Sequence, residues 1–472
     1  MKNQKTNQRL RMTTAILAVA MGTLMASAPV LAQVNPVEIA NGPAEKFSSR
    51  VLTTQLENPW AMVWGPDDKI WVTERTAGRV TRVDPVSGQK FPLLTIDEVF
   101  TGIQHEGLFG LALHPEFMKD TGNDYVYVAY TVNDGTAEAP APSAKLVRYT
   151  YNATSEQLEE PQVLIEGIPA GDDHNAGRVV IGPDLKIYYS LGEQGRYRRP
   201  EGDPIRAQIL PTQDQVDAKD WYAYSGKVLR LELDGSIPSD NPEIEGVKSH
   251  VFTYGHRNPQ GLVFASNGIL YSTEHGPASD DELNILVPGG NYGWPNVSGY
   301  VDDRAYNYPA WHEAPADLPR NSASTSQVPT TAESEFKGEV VEPIAAYFTV
   351  DDTTSICGFI CSPTIAPGSA AYYVAGENGI AEWDNSILIP TLKHGVVYVQ
   401  KLSEDGLSAE GLPVAWFNTQ NRYRDILVAP DGVSVFVATD AFGSAAAKYG
   451  EELATGILHN PGAILLYTYQ GQ

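Results

Sequence analysis

The chain has 472 residues, with 33 Lys and Arg against 58 Asp and Glu, for a formal net charge of −25 at pH 7. A balance this acidic argues against a nucleic-acid partner, because neutralising phosphates needs a basic surface. With 42% hydrophobic and 10% aromatic residues, 42 Gly and 33 Pro, the composition is that of a globular, turn-rich protein and excludes disorder over most of the length.

In chain order, the first predicted element is a secretory signal peptide over residues 1–32. Lys2, Lys5, Arg9 and Arg11 make a basic start, an apolar run follows from Ala15 to Ala28, and small residues lead up to Ala32. Cleavage is expected after Ala32, with Ala28 as the alternative. The apolar run is short for a membrane span and nothing later resembles one. A soluble protein exported to the periplasm or the exterior is therefore expected.

Residues 33–472 are expected to form one all-β domain. Short runs of β-branched and aromatic residues, bounded by Gly, Pro, Asn and Asp, recur without long amphipathic helices between them. One unit repeats: the turn Gly65-Pro66-Asp67-Asp68 leads into Ile70-Trp71-Val72, as Gly182-Pro183-Asp184 leads into Ile187, Asn267-Gly268 into Ile269, and Pro430-Asp431-Gly432 into Val435. Looser copies precede Tyr125 and Tyr372. A second strand follows each copy, at 79–83, 146–151, 228–233, 283–287, 396–399 and 464–469. With Trp71, Val126, Ile187, Leu270, Tyr373 and Val435 as markers, the third and fourth intervals are the longest. This pattern predicts a six-bladed β-propeller with enlarged loops in two of the blades. The stretch 314–332, rich in Ser, Thr, Pro and Ala, reads as a surface loop. The first strand after the signal and the last strand are expected to close the ring. Cys357 and Cys361 are the two cysteines, read in an oxidising compartment as a short-loop disulfide. Two thiolates with no His close in sequence make a poor zinc site.

Four segments carry polar, titratable or cationic groups that a plain strand or turn does not need. In the first, Asp172-Asp173-His174-Asn175 with Gly192-Glu193-Gln194-Gly195, a His stands among carboxylates. That suits a general base, since a carboxylate fixes the tautomer and stabilises the imidazolium. The second runs from Tyr254 to Gly261 and contains His256-Arg257-Asn258. The third is Glu274-His275-Gly276-Pro277 followed by Asp280-Asp281-Glu282. Carbonyls of a Gly-Pro turn beside an acidic run suit the oxygen-only coordination of calcium; a solvated acidic turn is the plain alternative. In the fourth, Asn421-Arg422-Tyr423-Arg424-Asp425, residues two apart on a strand share a face. The two guanidinium groups, with Lys393, suggest a cavity for a polyanion; pairing with surface acids is the alternative.

Leu191 to Arg196, Gly255 to Gly261, Gly276-Pro277 with Asp280 to Glu282, Gly289 to Val297 and Asn421 to Asp425 resemble, in one order, the soluble quinoprotein glucose dehydrogenases. The likeness runs from about Leu52 to Tyr469. It implies a six-bladed propeller that binds pyrroloquinoline quinone (PQQ) and calcium at one end of its axis. It also implies oxidation of an aldose sugar to the lactone, with electrons passed to an external acceptor, a cytochrome or a dye. By the same resemblance, His174 takes the proton of the anomeric hydroxyl as hydride passes to the quinone carbon C5. Glu193, where the family has Asp, orients His174, and Arg257 stabilises charge on the quinone oxygen.

Asn258, Gln260, Thr364, Lys393, Arg422 and Arg424 match further cofactor contacts, the last three answering the three carboxylates of PQQ. Gly276 and Pro277 match the carbonyl ligands of the active-site calcium, while Asp281, Glu282, Asp302 and Glu333 fall in segments matching structural calcium sites. The sugar contacts fall on His105, Asp173, Arg198 and Phe359. Asp173 keeps the family's residue, but His105 and Arg198 stand where the family has Gln. Phe359 and Ser362 replace a Tyr and a Trp, so a stacking wall is expected to be missing at the mouth of the sugar pocket. The Cys357–Cys361 loop is shorter than the family's, and a homodimer is left open. Two rival classes are a calcium-dependent propeller lactonase or esterase and a non-catalytic sugar-binding propeller. The first has no need of Lys393, Arg422 and Arg424; in the second, His174 need not accept a proton.

Overall fold

The recurring runs become strands because alternating β-branched and aromatic side chains fit a pleated, half-buried surface. In the computed structural model the described residues are 39–102, 104–195, 204–304, 306–310, 313–314, 328–350, 360, 362–446 and 454–471. They fall within one compact unit, Ala32–Gln472. The expected signal peptide, together with Arg198, Cys357, Phe359 and Cys361, lies outside the described residues. No helix among the described residues is long and apolar enough to cross a membrane.

Six four-stranded antiparallel sheets succeed one another along the chain. Blade 1 comprises Pro59–Trp64, Ile70–Glu74, Arg79–Val83 and Lys90–Thr95; blade 2 comprises Leu108–Leu113, Tyr125–Asn133, Pro142–Asn152 and Gln157–Pro169. Blade 3 is Ala176–Ile181, Ile187–Leu191, Lys227–Leu231 and Val251–Tyr254, and blade 4 is Pro259–Phe264, Leu270–Glu274, Asp281–Ile285 and Ala345–Tyr347. Blade 5 is Ala371–Tyr373, Ser386–Pro390, Val397–Leu402 and Ala409–Trp416. Blade 6 takes Tyr423–Val428, Ser434–Thr439 and Ile464–Tyr469 from the end of the chain and Phe47–Thr53 from its beginning. Phe47 lies opposite Tyr469 and Val51 opposite Leu465, so the ring closes between the first and last strands as expected. The first strands of the six blades contact one another in cyclic order.

One marker sits a strand early. Tyr373 ends the first strand of blade 5, whose second strand is Ser386–Pro390. The connection into that second strand is long: Asn378-Gly379 and the short 3-10 turn Ala381–Trp383 stand before Asp384-Asn385. The enlarged segments lie between the second and third strands of blade 3 (192–226) and between the third and fourth strands of blade 4 (286–344). The former holds the helix Gln213–Ala218, capped reciprocally by Thr212 and Gln215. In the latter, Thr330–Ala332 pairs with Asn307–Pro309. The end of the stretch read as a loop is thus a short strand, set by its partner rather than by its own composition.

Neighbouring blades share aromatic cores. Trp60 and Trp71 of blade 1 meet Phe109, Phe117 and Tyr151 of blade 2 edge-on, and Phe47, Trp383, Trp416 and Phe417 cluster between blades 5 and 6. Along the axis, the buried Arg178 of blade 3 donates to the Gln260 carbonyl at 2.9 Å and pairs with Asp425 of blade 6 at 3.4 Å. Its guanidinium lies 4.3 Å from the Trp60 ring centroid, and Asp425 accepts the Met62 N–H at 2.5 Å. One cation thus ties four blades across the channel. Arg178→Leu strands Asp425 in the interior, and removing one partner of a buried pair costs ~3–5 kcal/mol. Urea unfolding should show a loss of that order; a loss below ~1 kcal/mol would show that closure does not depend on this contact.

Candidate active site

In an antiparallel blade the start of the first strand and the end of the second lie at the same end of the sheet. Six blades therefore bring twelve short segments to one end of the axis. Ten of them enclose a cavity of about 400 Å³ lined by His105, Asp173, His174, Glu193, Arg257, Asn258, Gln260, Pro277, Lys393, Arg422 and Arg424. All eleven were singled out from the sequence. Trp60, Arg75, Phe109, Asn175, His275 and Trp294 also line it and were missed.

His174 sits just before the first strand of blade 3 with φ +44°, a conformation uncommon outside Gly and often found at functional sites. Gly192 makes it possible: a Cβ there would lie 1.7 Å from the His174 carbonyl oxygen. Glu193 follows, buried, and its Oε1 stands 2.7 Å from His174 Nδ1 and accepts the Gly195 N–H at 3.2 Å. The longer arm of Glu thus reaches the imidazole. The bond places the proton on Nδ1 and leaves Nε2 with its lone pair, 3.6 Å from Asp173 Oδ2. Asp173 Oδ1 meets His105 Nδ1 at 2.9 Å and the His174 N–H at 2.9 Å. Burial alone would raise the Asp173 carboxyl, but His174, His105 and Arg257 together hold it well below the usual carboxylate range.

The opposite wall is cationic. Arg422 and Arg424 do share a face, and both bind the buried Asp440 rather than surface acids. Arg424 donates through Nε and Nη2 at 2.9 Å each, and Arg422 through Nε at 3.2 Å. Arg424 Nη1 also reaches Gln260 Oε1 at 2.6 Å. Lys393 is fully buried, with Nζ 2.7 Å from Ser362 Oγ and bonded to the Thr364 hydroxyl. Burial pushes its ammonium down to about 7, against the pull of Asp281. Arg75, after the second strand of blade 1, is lowered to about 10 by burial, with Asp440 raising it and Arg424 and Arg422 opposing. Asp440, which burial would raise, is held at about 2 by Arg424 and Arg422. Three guanidinium groups against Asp440 and Glu106, with Lys393 drawn to Asp281, leave buried positive charge that an anion would neutralise. Ser362 belongs to this wall, buried on Lys393, and not to the pocket mouth where it was expected.

Between the two walls lie Arg257, which donates to the His275 carbonyl at 3.1 Å and stands 5.4 Å from the Trp294 ring centroid, and the Gly276-Pro277 turn. Asp281 Oδ1 accepts the Gly276 N–H at 2.8 Å, and its Oδ2 accepts those of Ile365 and Ala366 at 2.6 Å each. Asp281 thereby braces the turn. On the other face of the strand, Glu282 accepts the Gly299 N–H at 2.7 Å, and Glu333 accepts those of Ser298 and Asp303 at 2.9 and 3.0 Å. Burial, then the nearby Asp280 and Asp302, raises Glu333 to about 8. Burial, then Glu274, raises Glu282 well above its ordinary value. Glu282, Asp302 and Glu333 therefore gather with Asp280, and Asp281 does not join them. Among the described residues no three or more acids, His or Cys stand at metal-ligand spacing.

Two of the missed residues, together with Asp440, follow a positional rule. Arg75, His275 and Asp440 are each the first residue after a second strand, as Glu193 and Lys393 lie two and three residues after theirs. Composition around Arg75 and Asp440 gives no signal, whereas strand topology does; His275 lies inside the third segment, where only its neighbours were assigned roles.

A family profile described as Glucose / Sorbosone dehydrogenase matches residues 56–320. Quinoprotein glucose dehydrogenase B of Acinetobacter calcoaceticus is 42% identical over 99% of this chain and 100% of that protein. Aldose sugar dehydrogenase YliI of Escherichia coli is 25% identical over 83% of this chain and 89% of its own. Among solved structures, the PQQ-bound form of aldose sugar dehydrogenase from Streptomyces coelicolor aligns with a TM-score of 0.60 at 25% identity, covering 90% of this chain and 99% of that one. The chain belongs to the glucose/sorbosone dehydrogenase family, and is an oxidoreductase of that family.

Proposed function

We propose that this protein is a PQQ- and calcium-dependent aldose dehydrogenase that oxidises the anomeric carbon of a sugar to the lactone and delivers the electrons to an external acceptor. The observation that carries the reading is the pairing, in one cavity, of a buried cationic wall with a carboxylate-oriented imidazole. A hydrolase has no use for the first, and a sugar-binding module has none for the second. The name of the Acinetobacter relative and the PQQ-bound Streptomyces structure support the same cofactor.

The residues fit both groups. Lys393, Arg422 and Arg424, with Thr364 and Gln260, would hold carboxylates of PQQ, for which the wall already carries surplus charge. Among the described residues no hydrogen bond is donated to the carbonyls of Gly276 or Pro277, so they are free to face a calcium ion. Glu282, Asp302 and Glu333 gather with Asp280 but do not stand at metal-ligand spacing among the described residues, so no second, structural calcium is assigned to them. When bound, PQQ would supply a hydride acceptor and calcium would supply Lewis-acid polarisation. His174 Nε2 takes the proton of the anomeric hydroxyl, and Glu193 stabilises the imidazolium through Nδ1–H. Asp173 and His105 bind sugar hydroxyls, with Arg198 and Phe359 as further sugar contacts, while Arg257 holds developing negative charge. Export after removal of residues 1–32, a Cys357–Cys361 disulfide, a cytochrome as the acceptor in the cell and assembly as a homodimer belong to the same proposal.

Protein stripped of quinone and metal should reduce a dye with aldoses only after both PQQ and calcium are restored. Full sugar-dependent dye reduction without quinone would overturn the reading. His174→Ala and His174→Gln should lower kcat by about 10²–10⁴-fold, with the spectrum of bound PQQ retained. A loss below about tenfold would mean that another group takes the proton.

A further inference from the structure

Glu274, the last residue of the second strand of blade 4, is buried and does not line the cavity. Its Oε1 accepts the backbone N–H of Arg257 and, at 3.1 Å, that of Asn258. Its Oε2 meets His256 Nδ1 at 2.8 Å. His256 is fully buried, stacked on Tyr292 with centroids 4.6 Å apart, and its Nε2 lies 2.8 Å from the Thr253 hydroxyl. That arrangement fixes the imidazole with hydrogen on Nδ1 and the threonine hydroxyl donating to Nε2, so the carboxylate has one orientation.

The segment it grips is bonded on its far side to blade 3. The Arg257 carbonyl accepts the Glu193 N–H at 2.9 Å, and Glu193 Oε1 stands 2.7 Å from His174 Nδ1. Asn258 Oδ1 accepts the Ala176 N–H at 3.0 Å, two residues past His174. The corresponding acid of blade 1, Glu74, instead spends its oxygens on Arg79, at 2.8 and 2.7 Å, and Thr81, at 2.6 Å, with a single loop N–H from Glu57. The same residue at the same strand end therefore holds side chains of its own blade in one case and an active-site backbone in the other.

We propose that Glu274 is a positioning residue that sets Arg257 and, through the Arg257 carbonyl and Glu193, His174 in register with each other. The role rests on the dehydrogenase reading. It depends on where the carboxylate oxygens lie and not on their charge, because the partners on Oε1 are backbone N–H groups that an amide oxygen serves as well, and an amide N–H at the Oε2 position is accepted by His256 Nδ1 once the ring hydrogen moves to Nε2 and donates to the Thr253 hydroxyl. Glu282 lies directly opposite on the neighbouring strand, so Glu274→Gln also removes a like-charge contact. Glu274→Asp keeps the charge and withdraws the oxygens by one methylene. An ångström of misplacement in a reacting pair can cost about 10²-fold in rate.

Both variants, folded by circular dichroism and saturated with PQQ and calcium, are to be assayed for dye reduction across sugar concentrations. Glu274→Asp should lose at least about tenfold in kcat with the sugar KM within about threefold, and Glu274→Gln should keep at least about a third of kcat. In a His174→Ala background the Asp substitution should cost no more than about threefold, since groups that act through one another are not additive. An Asp variant within threefold of the parent, a Gln variant slower than the Asp one, or full multiplication of the Asp and His174→Ala losses would each overturn the proposal. A parent enzyme that shows no sugar-dependent reduction sinks the dehydrogenase reading itself, so the two failures are told apart. Should Glu274→Asp not fold, Glu274→Gln decides alone: a loss beyond about tenfold overturns a role of position over charge.

Discussion

Closure of the ring is the constraint from which the site follows. Each blade is an ordinary antiparallel sheet, but only a closed ring converts strand starts and strand ends into one cavity. The strand Phe47–Thr53 completes blade 6 from the opposite end of the chain, and Arg178 ties blades 1, 3, 4 and 6 across the channel. Apolar packing between blades provides the bulk stabilisation, while the axial cation and Asp425 fix which residues face one another.

Within the cavity the two walls are built by different means. Around His174 the device is close backbone approach: a positive φ at His174 and the close approach of Gly192 to the His174 carbonyl bring Glu193 onto the imidazole. Across from it the device is charge crowding. Asp440 orients two guanidinium groups while leaving Arg75 beside them, so the wall stores electrostatic cost that a bound polyanion would release. Burial lowers both Lys393 and Arg75 from their ordinary values, with Arg257 adding to the first and Arg424 and Arg422 to the second.

Much of this was legible in the sequence because propeller repeats carry their own punctuation. Turn chemistry before Trp71, Val126, Ile187, Leu270 and Val435 marks five second strands, and the paired arginines two apart announce a shared face. What escaped was set by contacts between blades. Tyr373 was placed a strand late because Gly368-Ser369 precedes the first strand of blade 5, while the Asn378-Gly379 turn stands apart from the second strand, with Ala381–Trp383 between them. Ser362 was assigned to the sugar pocket, whereas its neighbours in space are Lys393 and Thr364. Arg75 and Asp440 lie in unremarkable sequence, and only the topology, which brings the residue after the second strand of blades 1, 4 and 6 to the axis, gives them a role. Asp281 and Glu282 are adjacent in the chain yet face opposite sides of a strand, so a run of acids divides into a brace for Gly276 and a member of a separate acidic group.

The central claim is that the cationic wall is a receptor for the carboxylates of PQQ, and equilibrium binding tests it without reference to turnover. Calcium-loaded protein titrated with PQQ, followed by quenching of tryptophan fluorescence, should bind one equivalent. Lys393→Met should weaken binding by at least about thirtyfold, the scale of truncating one partner of a buried charged contact. Absence of saturable binding by the parent protein, or an unchanged affinity in Lys393→Met, would contradict the account.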